Sequence, residues 1–77
     1  MRDVSIKGLT KRELEIFELL IRGLSDKEIA GSLGISHNTV RNHAISILHK
    51  SGARNRKELI VKYYENKSAK EAPNGKP

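Results

Sequence analysis

The chain has 77 residues, no cysteine and no tryptophan, and only three aromatic side chains: Phe17, Tyr63 and Tyr64. Without thiols there is neither a disulfide nor a thiolate metal site. The three histidines, His37, His43 and His49, recur every six residues, which spreads them round a helix, so no zinc set is expected either. No apolar run approaches the length of a membrane span, and the leading M-R-D-V-S-I-K lacks a signal-peptide core. A soluble, cytoplasmic protein with no membrane partner is the expectation. There is no Gly-rich phosphate loop and no plausible nucleophile–base pair, so no enzyme is expected and no cofactor is implied.

Negative charge is missing from one long stretch. The nine acids are Asp3, Glu13, Glu15, Glu18, Asp26, Glu28, Glu58, Glu65 and Glu71. From Ile29 through Lys57 there is none, while Arg41, Lys50, Arg54, Arg56 and Lys57 supply five of the six net positive charges. Such asymmetry is the electrostatic footprint of a polyanion binder; a solvated face that happens to lack acids is the bland alternative.

What is present is one small domain of short helices, each with its own start signal. Met1 to Leu9 is too short and mixed to assign. Thr10, with Glu13 three residues on, forms a capping box that opens a helix from about Lys11 to Arg22; Leu9 staples back onto it and Gly23 ends it. The main apolar stripe of this helix reads Leu14, Phe17, Leu20 and Ile21, widened by Ile16 and Leu19. Ser25 and Glu28 form a second box for a helix over Asp26 to Leu33, stopped by Gly34. Only Gly34 and Ile35 precede Ser36, which caps a third helix running from about His37 to Ser51 and ending at Gly52. Its inward face is Val40, Ala44, Ile47 and Leu48, with His43 beside them as a packed, hydrogen-bonded core histidine. Its outward face carries Asn38, Arg41, Asn42, Ile45 and His49. Asn55 caps a fourth helix, again with Glu58 three residues later, whose stripe is Leu59, Ile60, Tyr63 and Tyr64. That helix should fade near Asn66, leaving residues 67–77 as a polar, disordered tail.

Two helices joined by a turn on Gly34, with Ala30 small enough for a close crossing and a polar outer face on the second, make a helix-turn-helix. The expectation is an all-α, four-helix domain without a wing over residues 1–66, with the motif at about 25–44 and the recognition helix at about 37–51.

Residues Leu9 to Ile60 resemble the LuxR/GerE-type helix-turn-helix family of bacterial transcription regulators. The matching features are L-T-K-R-E at Leu9 to Glu13, G-L-S-D-K-E-I-A at Gly23 to Ala30 and L-G-I-S at Leu33 to Ser36. They continue through T-V-R-N-H at Thr39 to His43, Lys50 with Gly52, and Arg56. The sequence departs from the family's pattern at Asp26, where asparagine is common, and at Ala44, Ser51 and Ala53, which replace larger branched residues. The resemblance implies a third helix that enters the major groove and a fourth that pairs two protomers through Leu59, Ile60, Tyr63 and Tyr64. It also implies a transcription regulator that meets double-stranded DNA and, in that role, RNA polymerase. The chain resembles the stand-alone, GerE-like branch or an excised output domain.

The candidate base contacts are His37, Asn38, Arg41, Asn42 and Ile45. Guanidinium pairs bidentately with guanine, side-chain amides suit adenine, and an apolar side chain suits the thymine methyl. Arg41 could instead hold a phosphate, the two asparagines could bond nearby backbone, and Ile45 could belong to the core. Ser36 and Thr39, at a helix N-terminus, are candidates for phosphate, as are Lys27, Lys50, Arg54 and Arg56. Arg56 has a competing role, an ion pair with Glu13 or Glu28 that ties helices together. The rival reading of the whole is a protein-interaction module, with the helix-turn-helix as scaffold and the fourth helix as working surface. Structured RNA is a third reading, disfavoured by the scarcity of stacking aromatics.

Overall fold

The computed structural model describes residues 6–71 of the chain, with side chains as far as Lys67. Four helices follow one another: α1 (Lys11–Ile21), α2 (Asp26–Leu33), α3 (His37–Ser51) and α4 (Arg56–Glu71). No strand occurs among the described residues, and the fold is all-α.

The local start and stop signals act as their chemistry requires. Thr10 Oγ1 accepts the Glu13 amide at 3.1 Å while the Glu13 carboxylate accepts the Thr10 amide at 2.9 Å. Ser25 and Glu28 repeat this reciprocal pair at 3.2 and 2.8 Å. At α4 the arrangement differs by one residue. Asn55 Oδ1 accepts the Glu58 amide at 2.8 Å, but the Glu58 carboxylate reaches back to the Arg54 amide instead of closing on the cap. At the end of α1 the Gly23 and Leu24 amides donate to the Leu20 and Leu19 carbonyls, the paired bonds of a Schellman closure. Gly34 ends α2 at φ +68°, a left-handed conformation that a Cβ would strain, and this lets the chain turn into α3 within three residues.

The core draws on all four helices: Leu9, Ile16, Phe17, Leu20, Ile29, Ala30, Val40, Ala44, Ile47 and Leu59. On α1 the buried stripe is Glu13, Ile16, Phe17 and Leu20, an i, i+3, i+4, i+7 series, and not the expected Leu14, Phe17, Leu20 and Ile21. Leu14 and Ile21 are only half-buried at its edges. The displacement arises because the first position of the true stripe is a carboxylate, which an apolar count passes over. On α3 the buried series is Val40, Ala44, Ile47 and Ser51, with Leu48 half-buried. Ser51 Oγ satisfies itself on the Leu48 carbonyl at 3.2 Å, so the small residue there ends α3 without an orphaned hydroxyl.

α4 docks chiefly on α1. Leu59 is fully buried, and the Tyr63 ring meets Phe17 edge-on with centroids 5.2 Å apart. Tyr64 stacks edge-on against Tyr63 at 5.3 Å and donates its hydroxyl to the Ile21 carbonyl at 3.3 Å. The helix continues to Glu71, beyond the expected fade near Asn66. Lysine, alanine and glutamate after Asn66 are good helix formers, and the first breaker is Pro73. The remainder of the expected disordered tail, residues 72–77, lies outside the described residues.

Candidate nucleic-acid interface

The candidate interface is built on α3, which packs against α2 on one side and α1 on another through its Val40–Ala44–Ile47–Ser51 stripe. That packing turns the opposite side outward. Asn38, Arg41, Asn42, Ile45 and His49 are all exposed there, spaced so that they share one helical face. The Asn38, Arg41, Asn42 and Ile45 side chains take no partner among the described residues. The competing expectation that the asparagines bond local backbone is therefore not met. Ile45, 59% exposed, is not a core residue. An open hollow at the start of α3 is lined by Ser36, His37, Asn38 and Arg41.

At that same end Ser36 Oγ accepts the Thr39 amide at 3.0 Å, and the two hydroxyls lie 2.8 Å apart. Ser36 is thus a working N-cap whose hydroxyl is already engaged. His37 is exposed, with Nε2 4.0 Å from Asp26 Oδ2.

The cations divide into two groups. Lys27 and Lys57 are exposed and take no partner among the described residues, and Arg54 stands 86% exposed with Glu58 3.8 Å away. Lys50 and Arg56, each only partly covered, are held by carboxylates of other helices. Lys50 Nζ donates to Glu13 Oε1 at 2.8 Å, a bond from α3 to the cap of α1. Arg56 pairs with Asp26, not with the expected Glu13 or Glu28, and so ties the start of α4 to the start of α2. Asp26 is available because it stands at the first position of α2, within reach of the Arg56 side chain, while Glu13 is taken by Lys50 and Glu28 by its own cap.

Glu13 is the residue that sequence reasoning left out of the site. Its Oε2 accepts the Ser46 hydroxyl at 2.7 Å, and its Oε1 accepts both Lys50 and the Thr10 amide. These bonds, led by Lys50, hold its carboxyl at a pKa of about 2 against the opposing cost of burial. One carboxylate therefore pins α3 to the start of α1 at two of its residues and reinforces the orientation that the buried stripe sets. The available signal was its place at the head of the Ile16–Phe17–Leu20 series.

His43 is half-buried and its imidazole makes no hydrogen bond with the described residues, so the expected hydrogen-bonded core histidine is not formed. No cluster of metal-ligating residues occurs among the described residues. No described helix is long and apolar enough to cross a membrane. The four positions expected at a protomer interface have separate fates. Leu59 has no surface left to offer, Ile60 and Tyr63 are half-buried against α1 and the core, and Tyr64 is 45% exposed. Val61, 43% exposed, is the apolar α4 residue that the pattern did not single out.

Comparison with known proteins identifies the family. Residues 7–63 match the family described as bacterial regulatory proteins, luxR family. The spore germination protein GerE of Bacillus subtilis is 49% identical over 53 residues, which make up 69% of this chain and 72% of GerE. The oxygen regulatory protein NreC of Staphylococcus aureus is 44% identical over 54 residues, 70% of this chain and 25% of NreC. The transcriptional regulatory protein UhpA of Escherichia coli is 40% identical over 57 residues, 74% of this chain and 29% of UhpA. The chain thus spans most of GerE and under a third of the other two. With four helices in the expected order and a match over most of its length, the chain belongs to the luxR family of bacterial regulatory proteins, which are helix-turn-helix transcription regulators and not enzymes.

Proposed function

We propose that this chain binds double-stranded DNA sequence-specifically, with α3 in the major groove, and that it regulates transcription as a homodimer in the cytoplasm. The observation that carries the reading is the outward face of α3, where Asn38, Arg41 and Asn42 hold exposed hydrogen-bonding groups that take no partner among the described residues. Solvated donors and acceptors on an outward helix face are suited to base edges, and Arg41 is the side chain for guanine. His37 stands at the groove entrance. Lys27 and Arg54 flank the face as backbone contacts, with the hydroxyl pair of Ser36 and Thr39 at the capped N-terminus of α3 as a further contact to phosphate. Lys50 and Arg56 act through the fold, aiming α3 and seating α4, with any phosphate contact secondary. RNA polymerase is the further partner that a transcription regulator implies.

The test is fluorescence anisotropy with a site selected from random duplexes and with unselected duplex, each across a salt series. Wild-type affinity should fall steeply with salt on both. Arg41→Ala should lose about 1–3 kcal/mol on the selected site and much less on unselected DNA. Equal losses on both would make Arg41 a phosphate contact. Binding that is absent at low salt would sink the DNA reading and favour a protein partner for the exposed face of α4.

A further inference from the structure

The outward face of α3 is polar except at one position. Ile45 lies four residues beyond Arg41, three beyond Asn42 and four before His49, and is therefore on the same stripe. It belongs neither to the buried core nor to the half-buried apolar residues packed on it. The other large exposed apolar side chains, Val61 and Tyr64, lie on α4, where Tyr64 is anchored to Ile21. Nothing among the described residues covers Ile45, so the free chain holds a solvated isoleucine amid unpaired polar groups.

An isoleucine side chain has no donor or acceptor and cannot join the hydrogen-bond code of base edges. The apolar group that B-DNA offers in the major groove is the C5 methyl of thymine. We infer that Ile45 is a specificity-determining residue that selects thymine through this methyl, one or two base pairs from the pair met by Arg41. The inference rests on the proposed major-groove reading. Four residues of helix advance about 6 Å along the axis, close to two base-pair steps of about 3.4 Å, which sets the separation. Discrimination has two parts. The thymine methyl gains apolar contact, and the amino group of a cytosine or adenine at that place is left facing an alkyl surface without a partner.

The experiment uses the full chain and replaces thymines of the selected site singly by uracil, which removes only the methyl. In wild type, one thymine per half-site should matter, its loss weakening binding about three- to fivefold, the worth of one buried methyl. That thymine should lie within about two base pairs of the position at which Arg41→Ala relaxes base preference. Ile45→Ala should bind the thymine and uracil forms equally, with an unchanged salt slope, and Ile45→Val should keep most of the preference. Because alanine is the stronger helix former at an exposed position, the variant should hold its helicity, checked by circular dichroism. Persistence of the thymine preference in Ile45→Ala, or indifference of wild type to every methyl, overturns the inference while leaving the DNA reading in place. Failure of wild type to bind any duplex overturns both.

Discussion

Glu13 closes the capping box of α1 and receives Ser46 and Lys50 from α3, so its carboxylate belongs to two helices at once. Its folded pKa of about 2 lies below the ordinary value of 4.5, so its contribution to stability is complete above pH 4.5 and is lost as pH falls towards 2. Glu13→Gln should therefore destabilise the domain by about 1–3 kcal/mol at neutral pH, since charge-assisted bonds weaken and Lys50 loses its counter-ion. Urea unfolding of both proteins at pH 7, 4.5 and 3 checks this: the wild-type advantage should shrink across the acid range. A constant difference would assign the effect to shape rather than charge. Nothing in residue type alone separates Glu13 from Glu28, which has the same spacing to its cap. What separates them is the neighbouring helix, and that contact spans 37 positions to Lys50.

Among the elements, α2 and α3 begin and end where the sequence reading placed them, because both boundaries are set by nearby groups: a hydroxyl before and a glycine after. The buried arc of α1 and the length of α4 were less legible. The former depends on three neighbouring helices, and the latter on helix propensity after the apolar pattern has stopped. α2 also contains a local weakness. Gly31 sits in its last turn, exposed, with a helical backbone and open space where a Cβ would stand. Gly31→Ala should raise stability by about 0.5–1 kcal/mol, readable as a higher melting temperature. If DNA affinity fell while stability rose, the glycine would instead be keeping room for the DNA backbone beside α2.

For the whole molecule, charge along the chain and charge in space are different quantities. The acid-free stretch from Ile29 to Lys57 reads as five unopposed cations, yet Glu13 and Asp26, from outside it, fold back onto Lys50 and Arg56. The field that remains is carried by Arg41, Lys57 and the weakly held Arg54, with Lys27 beside them. Dimerisation belongs to this scale too. With Leu59 consumed by the protomer's own core, pairing through α4 must use its outer side, around Val61 and Tyr64. Sedimentation should show two protomers on each selected palindromic site, and Val61→Glu should reduce this to one while leaving the isolated fold intact. A single wild-type protomer per site would refute pairing.

The residues on the outward face of α3 and those that hold the protein together form two sets with almost no overlap. The side chains of Asn38, Arg41, Asn42 and Ile45 bond to no neighbour among the described residues, while Glu13, Ser46, Lys50, Asp26 and Arg56 tie the helices together. Mutation at the first set is therefore nearly neutral for folding, so the outward face of α3 can vary through chains that all remain folded. The same partition makes α3 a surface on which new binding preferences can be written by exchanging four side chains, with the scaffold left as it is.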